Sequence, residues 1–182
     1  MDGILVQTTL HGKEDLNKIV ESLVIGKDSN PLGSQTPRFK GHPLSFCSYL
    51  CAGYKETYGD REGIMFETDV PVAYACPVDT LDLMRAGNWI PGHEKFIFSS
   101  LGEMLNKYPT SEDFKKDFKE FFKKLDPFEV YPDNSRQFAE SNFETDYCLD
   151  RRWNPGCNEV TFPKPLKIKS CEIFNSKEDL SF

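Results

Sequence analysis

The amino-acid sequence predicts one domain of the α+β class. Its 182 residues, 38% of them hydrophobic and 13% aromatic, are numerous and apolar enough to bury a core without disulfide staples. Strand-like runs rich in β-branched residues stand near both ends, and runs with the 3.6-residue apolar period of helices stand between them. Neither repeats nor low-complexity tracts interrupt the pattern, which excludes a solenoid. The domain is expected to cover residues 1–175, with 176–182 as a frayed tail.

Residues 3–10 open the chain as a strand carrying Ile4, Leu5, Val6 and Thr8. Leu16, Ile19, Val20 and Leu23 then fall at i, i+3, i+4 and i+7, the spacing of a helix with one buried stripe, and Gly26 is placed to stop it. Asn30-Pro31, Gly33, Pro37 and Gly41 mark residues 27–42 as an irregular loop, free to close over a ligand. Residues 43–46 read as a short strand, and 47–58 as a second helix with Cys47, Cys51, Tyr54 and Tyr58 along one face.

Further strands are expected at 63–68 and 70–76, where Pro71 favours an edge or a strand start. A short helix at 78–85 and a short strand at 95–98 follow. The clearest helix begins after Thr110 as N-cap, with Glu112 and Asp113 in its first turn. Its Phe114, Phe118, Phe121, Phe122 and Leu125 turn inward, while Lys115, Lys116, Lys119, Lys123 and Lys124 form a solvated outer face. Residues 126–156 are polar and proline-bearing, the composition of a long loop or insertion. Strands at 160–162 and 166–174 close the fold.

The formal net charge of −7 argues against sequence-independent nucleic-acid binding, which needs clustered Lys and Arg to displace counterions. Six cysteines without a CxxC pair, behind an acidic Met1-Asp2-Gly3 start that lacks the features of a secretory signal, point to reduced thiols in the cytoplasm and to no structural zinc. No run of 18 apolar residues predicts a membrane span.

Three segments carry a resemblance to a known family. They are His11-Gly12 ahead of a helix containing Asn17 and Ile19, Pro43-Leu44-Ser45-Phe46-Cys47 ahead of a Tyr-bearing stretch, and Glu159-Val160-x-Phe162-Pro163-x-Pro165-Leu166. In this order they resemble the ADP-ribosyltransferase superfamily, from His11 to Phe174. The stretch from Leu44 to Phe66, with Tyr54, Tyr58, Gly59 and Gly63, is similar to the AbiGi-type abortive-infection proteins, and the Glu159 segment to the DarT-type DNA ADP-ribosyltransferases.

The resemblance implies a split β-sheet core with flanking helices and NAD as co-substrate in the cleft, in a toxin or phage-defence setting where an antitoxin or regulatory protein is a partner. It implies that His11, with Gly12, meets the adenosine ribose and that Ser45, Tyr49 or Tyr54 supports the nicotinamide side, Tyr54 being the expected stacking ring. Arg38 offers a bidentate fork to the pyrophosphate. Glu159 is the expected catalytic carboxylate, steadying the positive charge that builds on the ribose as nicotinamide leaves. Asp150 and Glu172 compete for that role, and Asp150-Arg151-Arg152-Trp153 resembles an acidic-Arg-Trp patch of the AbiGi-type proteins. Cys157 stands where the family's Glu-x-Glu pair has its first acid, so a nucleic-acid, nucleotide or protein acceptor other than arginine is expected. Each residue also has a plainer use: His11 buttressing the first helix, the tyrosines as core, Arg38 on a surface loop, Glu159 facing solvent.

Two other classes compete. Cys47 at the head of a helix would have a lowered pKa and act as the thiolate of a cysteine hydrolase, with His42 or His93 as base. Alternatively the chain is a non-enzymatic adaptor on a degenerate transferase fold, binding a partner through residues 126–156, Trp89 and Trp153.

Overall fold

The computed structural model describes residues 3–8, 13–25, 44–52, 62–85, 88–146, 158–176 and 179–180. In chain order the elements are β1 (Gly3–Thr8), α1 (Lys13–Ser22), β2 (Val24–Ile25), β3 (Leu44–Cys51), β4 (Gly63–Glu67) and β5 (Tyr74–Cys76). A 3-10 turn at Thr80–Leu83 leads to β6 (Met84–Arg85) and β7 (Asn88–Trp89), and a second at His93–Phe96 leads to α2 (Leu101–Lys107) and α3 (Ser111–Phe122). After them come α4 (Pro127–Val130), α5 (Arg136–Asp146), β8 (Glu159–Pro163), β9 (Leu166–Lys167) and β10 (Ser170–Phe174).

Six strands join in the order β10-β4-β1-β3-β8-β5, every pairing antiparallel, while β2-β9 and β6-β7 form separate two-stranded pieces. The α+β class read from the sequence holds. The resemblance implied a split sheet, whereas the described pairings join all six strands side by side. No helix among the described residues is long and apolar enough to cross a membrane.

Side chains alternate across a sheet, so register decides what can meet. One row runs Glu172, Met65, Val6, Ser48, Glu159, Cys76, each opposite the next on adjacent strands. Its face, the α3 face, packs Leu44, Tyr74 and Cys76 under Phe96, Phe114, Phe118 and Phe122. The opposite face, the α1 face, packs Cys47, Tyr49, Ile64, Phe66, Val160 and Phe162 against Leu16 of α1, Met104 and Leu105 of α2, and Ile25 and Leu166. Gly3 lies where a Cβ would run into the ring of Tyr49, so glycine lets that ring cross β1.

Several elements are where the sequence put them, including β1, α1, β4 and α3. Thr110 caps α3 by accepting from the Asp113 amide at 3.3 Å, and the lysine face is exposed. Other expectations need correction. Residues 47–58 do not begin a helix: Leu44–Cys51 is one eight-residue strand with neighbours on both sides. α1 ends at Ser22, ahead of Gly26, because Leu23 takes the left-handed conformation at φ 53° and its amide returns to Ile19 at 2.8 Å. Residues 95–98 form a 3-10 turn and a single bridge, 166–174 divides into β9 and β10, and α4 and α5 occupy the predicted long loop.

Candidate functional site

Glu159 opens β8 in the interior of the sheet, between β3 and β5. It is 7% exposed, the one buried carboxylate among the described residues. Burial would cost an ionised carboxylate several kcal/mol unless partners replaced its water. Tyr74 Oη donates to Glu159 Oε1 at 3.1 Å and Thr80 Oγ1 at 2.8 Å. Tyr74 sits on the same face one strand away, and Thr80 heads the 3-10 turn that follows β5. Burial first, and the nearby charge of Asp79 second, push the Glu159 carboxyl up to about 8 from an ordinary 4.5, while the hydrogen bonds from Thr80 and Tyr74 oppose them. The group is therefore a neutral acid at pH 7 that a neighbouring cation would ionise. Burial likewise pushes the Tyr74 hydroxyl above its ordinary value.

Asn158 precedes it with φ 30°, fully buried, its backbone oxygen accepting from the Tyr49 amide at 3.0 Å. Asparagine is among the few non-glycine residues that enter this left-handed region readily, which suits Asn158 to the entry of β8.

The structure separates residues that the sequence grouped. Ser48 lies opposite Glu159, so Ser45 and Tyr49, odd numbers of residues away on the same strand, belong to the α1 face. Both are buried there, Ser45 at 4% and Tyr49 at 7% exposure. Glu172, one of the competing acids, is on the α3 face in the same row as Glu159, but on the outermost strand and exposed. His11, Gly12, Arg38, Tyr54, Asp150 and Trp153 lie outside the described residues.

Cys47 is not at a helix head but in the middle of β3, 4% exposed. Burial, then the Glu159 charge, pushes its thiol well above the ordinary value, the opposite of what a thiolate nucleophile needs. His93 is buried in a 3-10 turn, its ring stacked on Trp89 at 4.3 Å and its Nδ1 3.0 Å from the Ile90 carbonyl. His42 lies outside the described residues.

Tyr74, Thr80 and Asp79 were not legible as site residues. Tyr74 stood inside a predicted strand and Thr80 inside a predicted short helix, and nothing local ties either to a glutamate about 80 positions later. No group of three His, Cys, Asp or Glu side chains among the described residues is placed to hold a metal. No protein-family model, curated protein or solved structure matches this chain, so its function has to be read from its own residues.

Proposed function

We propose that the chain is an NAD-dependent mono-ADP-ribosyltransferase with Glu159 as its catalytic carboxyl, held by Tyr74 and Thr80. The observation that carries this reading is the buried, doubly hydrogen-bonded carboxyl at the head of β8, where the sequence resemblance puts the catalytic acid. The bond between ribose C1′ and the nicotinamide nitrogen breaks, and its electron pair leaves with neutral nicotinamide. The acceptor nucleophile then bonds C1′ and gives up a proton. Positive charge grows on the ribose during this step, and a fixed carboxylate in a dry setting stabilises it more than water would. The high resting pKa fits a carboxyl that ionises when the cationic nicotinamide ring arrives.

His11 and Gly12 on the adenosine ribose, Arg38 on the pyrophosphate and Tyr54 beside the nicotinamide complete the reading from the resemblance alone. The acceptor is a nucleic acid, nucleotide or protein, and the setting is cytoplasmic toxin or phage defence with a regulatory partner. Ser45 and Tyr49 are left out of the chemical step because the sheet stands between them and Glu159. That same separation favours a second reading, an adaptor that keeps the fold and has lost the assembled site.

Nicotinamide release from NAD decides between them. The wild-type chain should release it in the presence of an acceptor, Glu159→Gln about 10²–10³-fold more slowly. The wild-type rate should climb with pH through about 8, a climb absent in the variant. Wild type that neither releases nicotinamide with any acceptor class nor binds NAD leaves the adaptor reading standing.

A further inference from the structure

Asp79 is an acid that the chemical step described above does not use, and the turn after β5 brings it to the buried carboxyl. One peptide bond joins it to Thr80, whose Oγ1 donates to Glu159 Oε1 at 2.8 Å and whose backbone amide also favours the ionised carboxyl. Consecutive Cα atoms stand about 3.8 Å apart, so connectivity alone keeps the Asp79 side chain within roughly one Debye length, about 10 Å, of Glu159. The two acids differ in setting, Glu159 being buried and Asp79 half-buried.

The charge of Asp79 bears on Glu159 and favours its protonated form. Among the other described neighbours, Ser48 stands opposite on β3 with Cys47 next along that strand, and Tyr74 and Cys76 lie on β5. Tyr74 and Cys47 are held well above their ordinary values and carry no charge near neutral pH, and Cys76 is wholly buried. Asp79 is therefore the charge against which Glu159 titrates.

We propose that Asp79 is a positioning residue that acts through Glu159 and makes the site selective for N-glycosides whose leaving base is a cation. Its selectivity rests on the transferase reading of the site. A pyridinium base meets one carboxylate already charged and a second carboxyl that ionises beside it, so its binding expels a proton. A neutral base, such as the dihydropyridine of NADH, brings no charge to offset two carboxylates. Glu159 then keeps its proton, and the bond to the base lacks the carboxylate that would stabilise its breaking. Without the Asp79 charge, Glu159 would ionise at lower pH, and less of its proton would remain to be exchanged for the cation.

Calorimetry of the full chain with NAD at pH 7, in two buffers of different ionisation enthalpy, should show close to one proton released per site. NADH should bind about tenfold more weakly and release none. Asp79→Asn keeps the side chain's size and its ability to cap a turn, yet it should cut both the release and the preference for NAD by about half or more. Asp79→Glu should restore them. Carbon-13 NMR titration of the Glu159 carboxyl without nucleotide needs no turnover, and its midpoint near 8 should move about half a pH unit lower or more in Asp79→Asn. A release and a midpoint both unchanged in that variant overturn the proposal. Wild type that binds NADH as tightly as NAD overturns the selectivity and leaves the transferase reading standing. Wild type that binds neither sinks that reading and the selectivity with it, while the midpoint still decides whether Asp79 acts on Glu159.

Discussion

Ser45 on the α1 face of the central sheet and Glu159 on the α3 face are both buried, yet their polar groups are provided for differently. On the α1 face Ser45, opposite Phe162, is buried with no hydrogen-bond partner for its hydroxyl among the described residues. On the α3 face Glu159 is buried to a similar degree but receives two hydroxyl donors; on the same face Phe96 lies 5.0–5.4 Å from the rings of Phe114, Phe118 and Phe121. The two donors make its burial tolerable. An ionisable group can thus stay inside at neutral pH because it keeps its proton and its lone pairs are hydrogen-bonded.

The strongest way to perturb the α3 face is to open its aromatic layer. Phe118→Ala removes a fully buried ring in contact with four other phenylalanines and should cost about 3–5 kcal/mol in urea unfolding. A loss below about 1 kcal/mol would show that the aromatic layer is not packed as described.

The pH dependence of stability sharpens the comparison. In the unfolded chain Glu159 ionises near 4.5, whereas in the fold it keeps its proton up to about 8. Between those values the unfolded state binds fewer protons, so this group's contribution falls as pH rises, by at most about 1.4 kcal/mol per unit, and levels off above them. Glu159→Gln should remove that slope, making the variant gain on wild type from pH 5 to pH 8; parallel stability curves would contradict the buried-acid description.

The smallest effect is expected on the other face. Ser45→Ala deletes a hydroxyl with no partner among the described residues and should change stability by less than about 1 kcal/mol. A cost above about 2 kcal/mol in thermal unfolding would mean that the hydroxyl has work to do.

How much of this could be read from the chain follows from range. α1 and α3 announced themselves through apolar spacing and, in α3, through Thr110 and its acidic first turn, all contained within a dozen residues. β3 was misread because it is buried on both faces, which erases the alternation that marks a half-exposed strand. Its Cys47 and Cys51, four apart, share a side in a strand as in a helix, so spacing alone did not separate the two. α5 hid behind a polar surface, burying Ala139 fully and Phe143 in part. At the candidate site, Glu159 was legible as a residue and its surroundings were not. Tyr74 and Thr80 reach it only through the β5-β8 pairing and the turn beyond β5, and Ser45 and Tyr49 were divided from it by a register that only the pairing fixes.

The thiols of Cys47, Cys51 and Cys76 sit in β3 and β5 with at most 4% exposure. An alkylating reagent can therefore meet them only while those strands have parted. Labelling under native conditions would act as a molecular stopwatch, modification of any of these three sulfurs recording one breach of the sheet's interior.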